Sequence, residues 1–341
     1  MQQRNAQSSK VAVLLCLLAS LAASSAWAQS EGELTAKSRL YSGVGPGLRA
    51  VRHGADGRMI VLASPSPGLL VFDKQGNRLF AVAESAAAPA DGKPGRATIT
   101  FGEDCDVDFE GRIYVADRGA NAIQVLSPDG TLLRSIPVSA PISVASLGEG
   151  EVAVATMREP HLVVVFDKSG RDVREFGDPE QISERADLNR FLNDGQLVTD
   201  AQSHLYYGFA YTPEPTVRQY DRNGYGSGPD IQYVALEAAP AAQAIRREIV
   251  RQEKRQKSPS FKRVLTAVGV DRTNGEVWMA VGNTLLHFDK EGTRRASYQI
   301  YTPEGARLEA TTLLIESDRM IIGGDPIGVY EFDRPGKRSK P

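Results

Sequence analysis

Cysteine and histidine are scarce in this sequence. Two cysteines and four histidines occur among 341 residues. Cys16 lies in an apolar segment near the start, so the rest of the chain contains only Cys105. A lone cysteine forms no internal disulfide, and the fold must be held together by its core. The histidines, at positions 53, 161, 204 and 287, lack the spacing of metal ligands, which argues against a zinc centre.

Long apolar runs are also rare. One such run, at about positions 11–21, follows a basic start without acidic residues and precedes the small-x-small pattern Ala26-Trp27-Ala28. The run is shorter than the ~20 residues needed to span a bilayer, and the pattern is typical of a cleaved secretory signal. We therefore predict a signal peptide over residues 1–28 and a bacterial periplasmic or secreted protein. No stable membrane anchor is expected after cleavage.

The chain has no strong excess of charge. Its formal net charge is −2, and the loss of Arg4 and Lys10 with the signal would make it slightly more acidic. This balance gives no reason to expect nucleic acid or an anionic membrane as a partner. With 41% hydrophobic residues and no Pro- or Ser-rich linker, residues 29–335 are predicted to form one large domain. Residues 336–341 are predicted to be a disordered basic tail.

A short turn motif recurs through the chain. In each copy, an apolar or aromatic residue is followed by a polar segment that ends in glycine. The copies are 72-FDKQG, 126-LSPDG, 166-FDKSG, 220-YDRNG, 288-FDKEG and the degenerate 332-FDRPG. They recur about every 40–70 residues, and about 40–50 residues is the length of one four-stranded propeller blade.

The segments around each turn read as strands. They are rich in β-branched and apolar residues, and Asp-x-x-Gly suits a tight hairpin. We therefore predict an all-β fold, a six-bladed β-propeller. Because few residues follow the sixth turn, Thr35–Tyr41 is predicted to complete the last blade from the opposite terminus. Two stacked β-sandwich domains are the alternative, but sandwiches do not require a recurring motif with this phase.

The second repeat carries a family resemblance. Its sequence, 107-VDFEGRIYVADRGANAIQVL, resembles an NHL repeat almost throughout, whereas the other units share the glycine, the strand runs and the turn. Resemblance to the NHL-repeat family implies a six-bladed propeller. Propellers of this kind include extracellular binding domains, amidating lyases and metal-dependent lactone hydrolases, so the resemblance leaves the chemistry open.

Two segments interrupt the strand pattern. The segment at about 240–257 contains strong helix formers, and we predict a helix with Ile245 and Ile249 on one face. Its basic residues are predicted to bind an acidic partner: Arg246, Arg247, Arg251 and Arg255. An inserted helix with a solvated basic face and no partner is the simpler interpretation. A second interruption, 178–193, is predicted to form part of the wall around a channel mouth.

Ligand-binding residues are predicted from the phase of the repeats. Alignment of Gly57 with Gly111 places Arg52 and Asp106 at equivalent positions of neighbouring inner strands, with Asp104 two residues earlier. Inner strands line the channel of a propeller, so these charges would hold a small polar ligand or would pair with each other. Asn193 and Asp194 complete the candidate set on a different ground, because a lactonase-type site would need Asn and Asp side chains from different blades; they match no phased motif.

These observations favour a binding scaffold over an enzyme. No catalytic residues and no metal ligands are assigned, and no cofactor is expected, although the acidic inner strand leaves room for a channel-bound divalent cation such as calcium. The predicted function is that of a non-enzymatic scaffold in the cell envelope, which binds an envelope protein or a small polar ligand. The alternative is a metal-dependent hydrolase or lyase with its site in the channel.

Overall fold

The computed structural model describes residues 30–54, 56–64, 66–82, 98–157, 160–234, 239–255 and 258–336. The predicted signal peptide and residues 337–341 of the predicted tail lie outside these ranges. Within the described residues, the strands form six sheets. No helix among these residues is long and apolar enough to cross a membrane.

Each sheet is one blade, and the strands follow chain order. Blade 1 contains β3 (Leu48–His53), β4 (Met59–Ala63), β5 (Gly68–Phe72) and β6 (Arg78–Val82). Blade 2 contains β7 (Gly102–Val107), β8 (Ile113–Asp117), β9 (Ala122–Leu126) and β10 (Leu132–Pro137). Blade 3 contains β11 (Pro141–Gly148), β12 (Glu151–Thr156), β13 (Val163–Phe166) and β14 (Asp172–Phe176).

The remaining blades follow the same order. Blade 4 contains β15 (Gly195–Thr199), β16 (Leu205–Phe209), β17 (Thr216–Tyr220) and β18 (Ile231–Gln232). Blade 5 contains β19 (Ala267–Val270), β20 (Val277–Val281), β21 (Thr284–Phe288) and β22 (Arg294–Tyr301). Blade 6 contains β23 (Glu309–Ile315), β24 (Arg319–Asp325) and β25 (Gly328–Asp333). The first strands, β3, β7, β11, β15, β19 and β23, contact one another in a closed ring, which confirms the six-bladed propeller.

Two strands from the start of the described chain join the last two blades. β2 (Ser38–Leu40) pairs antiparallel with β25, and Leu40 lies opposite Val329. This pairing confirms that chain from the opposite terminus completes blade 6. β1 (Ser30–Thr35) instead pairs parallel with β22 and adds a fifth strand to blade 5, which the sequence did not predict. Thr35 therefore belongs to blade 5, because the chain crosses from one blade to the next between β1 and β2.

The hydrophobic core lies between the faces of neighbouring blades. The middle strands β4, β5, β8 and β9 are buried along their whole length, because both of their faces are covered. Cys105 is fully buried in the cluster between blades 1 and 2, beside Leu62 and Val115. Burial raises the pKa of its thiol well above the ordinary value, so this cysteine acts as a small apolar core residue.

The recurring glycine has a clear conformational role. In all six copies of the turn motif it adopts a positive φ, between 80° and 93°. A side chain is unfavourable in this region, whereas glycine adopts it freely. In blade 1 the Asp73 carboxylate accepts hydrogen bonds from the backbone N–H groups of Gln75 and Asn77, at 2.9 and 2.8 Å. In blades 1 to 5 the motif therefore marks the hairpin between the third and fourth strands, whereas in blade 6 it follows β25, whose partner β2 comes from the other end of the chain.

The two interruptions form helices that pack on each other. α1 (Ala186–Leu192) lies in the first interruption, and α2 (Ala239–Glu253) corresponds to the predicted inserted helix. Ile245 and Ile249 of α2 are buried in one cluster with Leu188 and Leu192 of α1. The predicted apolar face of the inserted helix is thus confirmed, although the helix ends at Glu253.

Candidate functional site

The charged residues predicted for the inner strands form a connected group. The Arg52 Nη2 atom donates a hydrogen bond to Asp104 Oδ1 at 2.8 Å, and its Nε atom lies 3.8 Å from Asp106 Oδ1. Ser143 of the next blade donates to the other oxygen of Asp104. The backbone N–H of Leu197, one blade further, donates to the Ser143 hydroxyl at 2.9 Å. These bonds link the inner strands of blades 1 to 4 around the channel.

The contacts of the buried pair favour the charged form of both groups. Burial lowers the pKa of the Arg52 guanidinium, but the charges of Asp104, Cys105 and Asp106 together outweigh burial, and the pKa lies above its ordinary value. Burial raises the pKa of Asp104. Its oxygens nevertheless accept hydrogen bonds from Arg52, Ser143 and the backbone N–H of Cys105, and such donors favour the ionised carboxylate. We therefore treat Asp104 as an anion, so that one guanidinium lies between two carboxylates.

A pocket of about 880 Å³ opens where the inner strands end. Arg52, Asp106 and Ser146 line its floor, and the turns that follow β3, β7, β15, β19 and β23 form its rim. This volume lies within the ~300–1,000 Å³ of small-molecule sites. Among the described residues, three arginines line the pocket: Arg52, Arg272 and Arg319. Seven carboxylates line it as well, Asp106, Asp108, Asp200, Asp271, Glu316, Asp318 and Glu331.

Most of the rim carboxylates are engaged in their own turns. Asp108 accepts hydrogen bonds from Arg112 Nε at 2.7 Å and from the Tyr114 hydroxyl at 3.0 Å. Asp200 repeats the pattern with His204, whose Nδ1 atom lies 2.8 Å from its carboxylate. Such contacts stabilise the turn and leave little capacity for a ligand. The floor residue Asp106 differs, because its Oδ2 accepts one backbone N–H, from Ser146 at 2.7 Å, and its Oδ1 has no hydrogen-bond donor among the described residues.

One rim residue was not singled out by the sequence. Phe109 lies in the turn after β7, lines the pocket and is 66% exposed. Aromatic side chains are common in the lining of small-molecule pockets. Phe109 occupies the second position of its turn. The equivalent residues of blades 4, 5 and 6 are Ala201, Arg272 and Ser317, so an aromatic residue at this position was the available sequence signal.

The structure does not bring Asn193 and Asp194 to this pocket. Both precede β15, so they lie at the opposite end of the channel from the strand ends that form the rim. The Asn193 side chain bonds the backbone of Glu180 and Asn189 and therefore fixes the loop before α1 and the helix itself. The predicted ligand set thus divides into two groups, Arg52, Asp104 and Asp106 at one end and Asn193 with Asp194 at the other.

Asp194 is a buried carboxylate with an unusual environment. Its side chain is 7% exposed, and its Oδ1 atom has no hydrogen-bond partner among the described residues. Burial raises its pKa to about 6, although Arg263 opposes the shift. Glu103 raises the pKa further, and Arg118 lowers it. Because these charges come from blades 2 and 5 and their flanking loops, the group lies across this end of the channel.

We expect the Asp194→Asn variant to change how stability depends on pH. A carboxyl whose pKa is raised in the folded state opposes folding when it ionises, so the free energy of unfolding should fall as pH rises from about 4 to beyond 6. Asn mimics the protonated form. The variant should match the wild type near pH 4 and exceed it by about 3 kcal/mol at pH 7.5, since each pKa unit corresponds to about 1.4 kcal/mol. Denaturant unfolding at the two pH values measures this difference.

The matched control is Asp172→Asn, at an exposed position of β14. Its unfolding free energy should differ from that of the wild type by the same small amount at both pH values. If the free energy of unfolding of Asp194→Asn exceeded that of the wild type by the same amount at both pH values, the assigned environment of Asp194 would be wrong.

The basic face of α2 is partly neutralised. Arg246 pairs with Glu214, and Arg251 pairs with Glu248 on the same helix. Arg247 and Arg255 are exposed at the surface of the helix. The backbone oxygen of Arg255 accepts a hydrogen bond from Arg185, which joins the end of α2 to the start of α1. Binding of an acidic partner to the four arginines stays a prediction.

The histidines do not converge. His53 Nδ1 lies 2.9 Å from Glu316 and His287 Nε2 lies 3.2 Å from Glu276, in different parts of the ring. Within the described ranges, no group of three or more His, Cys, Asp or Glu side chains is arranged to hold a metal ion. The candidate site is therefore the pocket at the channel mouth, with Arg52 and Asp106 on its floor and Phe109 on its rim.

Comparison with known proteins identifies the class of fold. No family model matches the chain, and no curated protein matches its sequence. A streptogramin B lyase structure is similar over 88% of this chain and 86% of its own, with a TM-score of 0.51 and 13% identity. XC5397 from Xanthomonas campestris, described as a gluconolactonase, is similar over 87% and 89%, with a TM-score of 0.54 and 16% identity.

A third solved structure extends the comparison. It is a catalytically inactive virginiamycin B lyase from Staphylococcus aureus with quinupristin, similar over 87% of this chain and 98% of its own, with a TM-score of 0.54 and 9% identity. At such low identities the likeness concerns the fold alone. The chain is a six-bladed β-propeller similar in fold to lyases and to a lactonase.

Proposed function

We propose that this chain is an exported, NHL-like propeller that binds a small polar ligand without transforming it, in the pocket at the channel mouth. The observation that carries the proposal is the pocket itself, about 880 Å³ in volume with charged groups on its floor. The exported location rests on the signal-peptide pattern of residues 1–28.

The hydrogen bonds around the pocket support binding over catalysis. A general base or a metal ligand needs lone pairs that are free to face the substrate. The rim carboxylates Asp108, Asp200 and Asp271 are bonded to side chains and backbone groups of their own turns. Glu316 is held by His53 and by Arg319 Nε, at 2.9 and 2.5 Å. These groups shape the rim and leave the floor to contact a ligand.

The alternative is a metal-dependent hydrolase or lyase of the propeller type. The similar structures include a gluconolactonase and streptogramin lyases, and seven carboxylates line the pocket. The two functions make different demands on the same pocket. Binding requires occupancy without turnover, whereas the alternative requires turnover that depends on a divalent ion.

We expect a block at the rim to abolish ligand binding. The purified chain from residue 29 would be screened against sugars, amino acids, amines and carboxylates by thermal unfolding. A ligand at 100 times its Kd stabilises by about 2.7 kcal/mol, or roughly 4–5 °C in a chain of this size. Ser317→Trp, at an exposed rim position, should abolish the increase because the indole fills the mouth. Gln243→Trp, exposed on α2, is the matched control and should keep it.

The same samples distinguish binding from catalysis. Each compound that binds, together with a panel of lactones, would be incubated with the protein with and without divalent cations, and its concentration followed over time. Unchanged compounds support the binding function. Turnover that Ser317→Trp abolishes would establish the enzymatic alternative, and the absence of any compound that binds would contradict the assignment of the pocket.

A further inference from the structure

The floor of the pocket has one negative charge that is not neutralised. Arg52 is the single guanidinium between two carboxylates, and it donates a 2.8 Å hydrogen bond to Asp104. Asp106 is left with its Oδ1 atom 3.8 Å from Arg52 Nε, which exceeds hydrogen-bonding distance. The Asp106 side chain is 18% exposed and lines the pocket. An acceptor oxygen with an uncompensated charge is thus available on the floor.

The rim provides an aromatic side chain close to Asp106 in the sequence. Phe109 follows Asp106 by three residues, in the turn at the end of the same strand, and it also lines the pocket. The face of an aromatic ring attracts cations, most strongly when water is excluded. Packing does not explain this side chain, because 66% of its surface is exposed. Floor and rim therefore present two groups that favour the same kind of ligand.

The charge of the whole lining has the same sign. Seven carboxylates face three guanidinium groups around the pocket. Arg112 and Arg334 lie outside the lining. Arg112 neutralises Asp108 and Arg334 neutralises Asp271, yet the net charge around the pocket remains negative. A concave surface of one sign concentrates ligands of the opposite sign.

We propose that the ligand of this pocket is an organic cation, an amine with an apolar or aromatic part. The inference rests on the proposed binding function. The ammonium group donates a hydrogen bond to Asp106 Oδ1, and the carbon skeleton or the cation itself packs against Phe109. The contact with Asp106 is a charge-assisted hydrogen bond, which is stronger than a bond between neutral groups.

A divalent metal ion fits this floor less well. Calcium takes six to eight oxygen ligands. Asp106 offers one free carboxylate oxygen with a guanidinium 3.8 Å away, and the rim carboxylates Asp108 and Asp200 are occupied by their turns. An ammonium group needs few acceptors and tolerates this arrangement.

A series of three probes of matched shape tests the inference. 2-Phenylethylamine, 2-phenylethanol and 3-phenylpropionate would be titrated into the chain from residue 29 at pH 7, with ligand-observed NMR as the measurement. We expect the amine to bind at least about tenfold more tightly than the alcohol, a difference of about 1.4 kcal/mol. We expect the propionate to bind more weakly than the alcohol, because it meets the uncompensated charge.

Substitutions of pocket residues test whether the amine binds in the pocket. Asp106→Asn keeps an oxygen that accepts the Ser146 N–H and removes the charge, so it should fold and lose at least about tenfold in affinity for the amine. Phe109→Ala should lose severalfold. Glu110→Gln is the matched control, since it removes a carboxylate from the same turn outside the pocket lining.

Each outcome either supports or overturns the proposal that the ligand is an organic cation. Preference for the amine that depends on Asp106 supports it. Tighter binding of the propionate or the alcohol would overturn the ligand class and leave the binding function intact, because occupancy of the pocket would still be seen. Displacement of the amine by stoichiometric calcium would overturn it in favour of a metal site. Binding of none of the probes would also overturn it, and the wider compound screen then decides the binding function separately.

Discussion

A chain that begins at Ser42 is expected to unfold at a temperature roughly 7–10 °C lower than a chain that begins at Gln29. The shorter chain lacks β1 and β2, so blade 6 loses the strand that pairs with β25. It also loses Ala36 from the core cluster of blades 5 and 6, and the contact of the Tyr41 ring with Phe72 at 4.6 Å. We expect a loss of about 5 kcal/mol, which approaches the whole stability of many domains.

A truncation of intermediate length distinguishes the contribution of β1 to stability from that of β2. A chain that begins at Ala36 lacks β1 and retains β2. β1 covers the outer edge of blade 5 with mostly exposed side chains, so its loss should lower the melting temperature by only a few degrees. Equal melting temperatures for the chains from Gln29 and Ser42, measured by calorimetry or circular dichroism, would refute closure by β2.

Replacement of Arg334 by Met is expected to cost about 3–5 kcal/mol, because it leaves buried charges without their partner. The Arg334 side chain is 3% exposed. It pairs with Asp271, lies 3.0 Å from Glu276 Oε2 and donates to the backbone oxygen of Glu316 at 3.1 Å. Since Arg334 follows β25, these contacts join the last strand to blade 5.

The pH dependence of this effect has a defined sign. Burial raises the pKa of Asp271, but hydrogen bonds from Thr273 and Arg334 outweigh burial and the pKa lies below its ordinary value. A carboxyl with a lowered pKa contributes stability above the pKa of the unfolded chain, and this contribution is lost as pH falls. The cost of Arg334→Met, measured by denaturant unfolding, should therefore be greatest near neutral pH and decrease towards pH 3.

An exposed ion pair at the same seam provides the control. Lys37 and Asp333 are joined at 2.5 Å, but their side chains are 49% and 61% exposed. Solvent screens such pairs, so Lys37→Met should lower the free energy of unfolding much less than Arg334→Met does. If Arg334→Met and Lys37→Met cost the same, the buried contacts of Arg334 do not stabilise the closure.

The blade architecture could be predicted because its signals are local. The Asp-x-x-Gly turn specifies a glycine with positive φ and the hairpin around it within five residues, as in 72-FDKQG. Repetition of that unit and the short chain after Phe332 predicted a blade completed by Thr35–Tyr41. The parallel strand β1 was not predicted, because its sequence, SEGELT, has little strand character. The position of β1 depends on pairing with the edge strand β22, which lies far away in the sequence.

The candidate site could be predicted only in part. The phase of the repeats placed Arg52 and Asp106 on neighbouring inner strands, and they lie 3.8 Å apart. Asn193 and Asp194 were grouped with them because a lactonase-type site needs Asn and Asp side chains, without support from the repeat phase, and those residues precede their strand and lie at the other channel mouth. Phe109 was overlooked because a single aromatic residue in a turn reads as a surface residue until the pocket beside it is known.

By itself, the sequence determined the repeated blade and the terminus that closes the ring, because turns and strand runs depend on residues a few positions apart. The tertiary structure decided which polar groups share a cavity and which are neutralised. Those properties depend on the closed ring, which brings Arg334 to Asp271 and places Asp106 beside Arg52 although the paired residues are distant in the chain. Whether a carboxylate is open to a ligand or occupied by a turn depends on these distances.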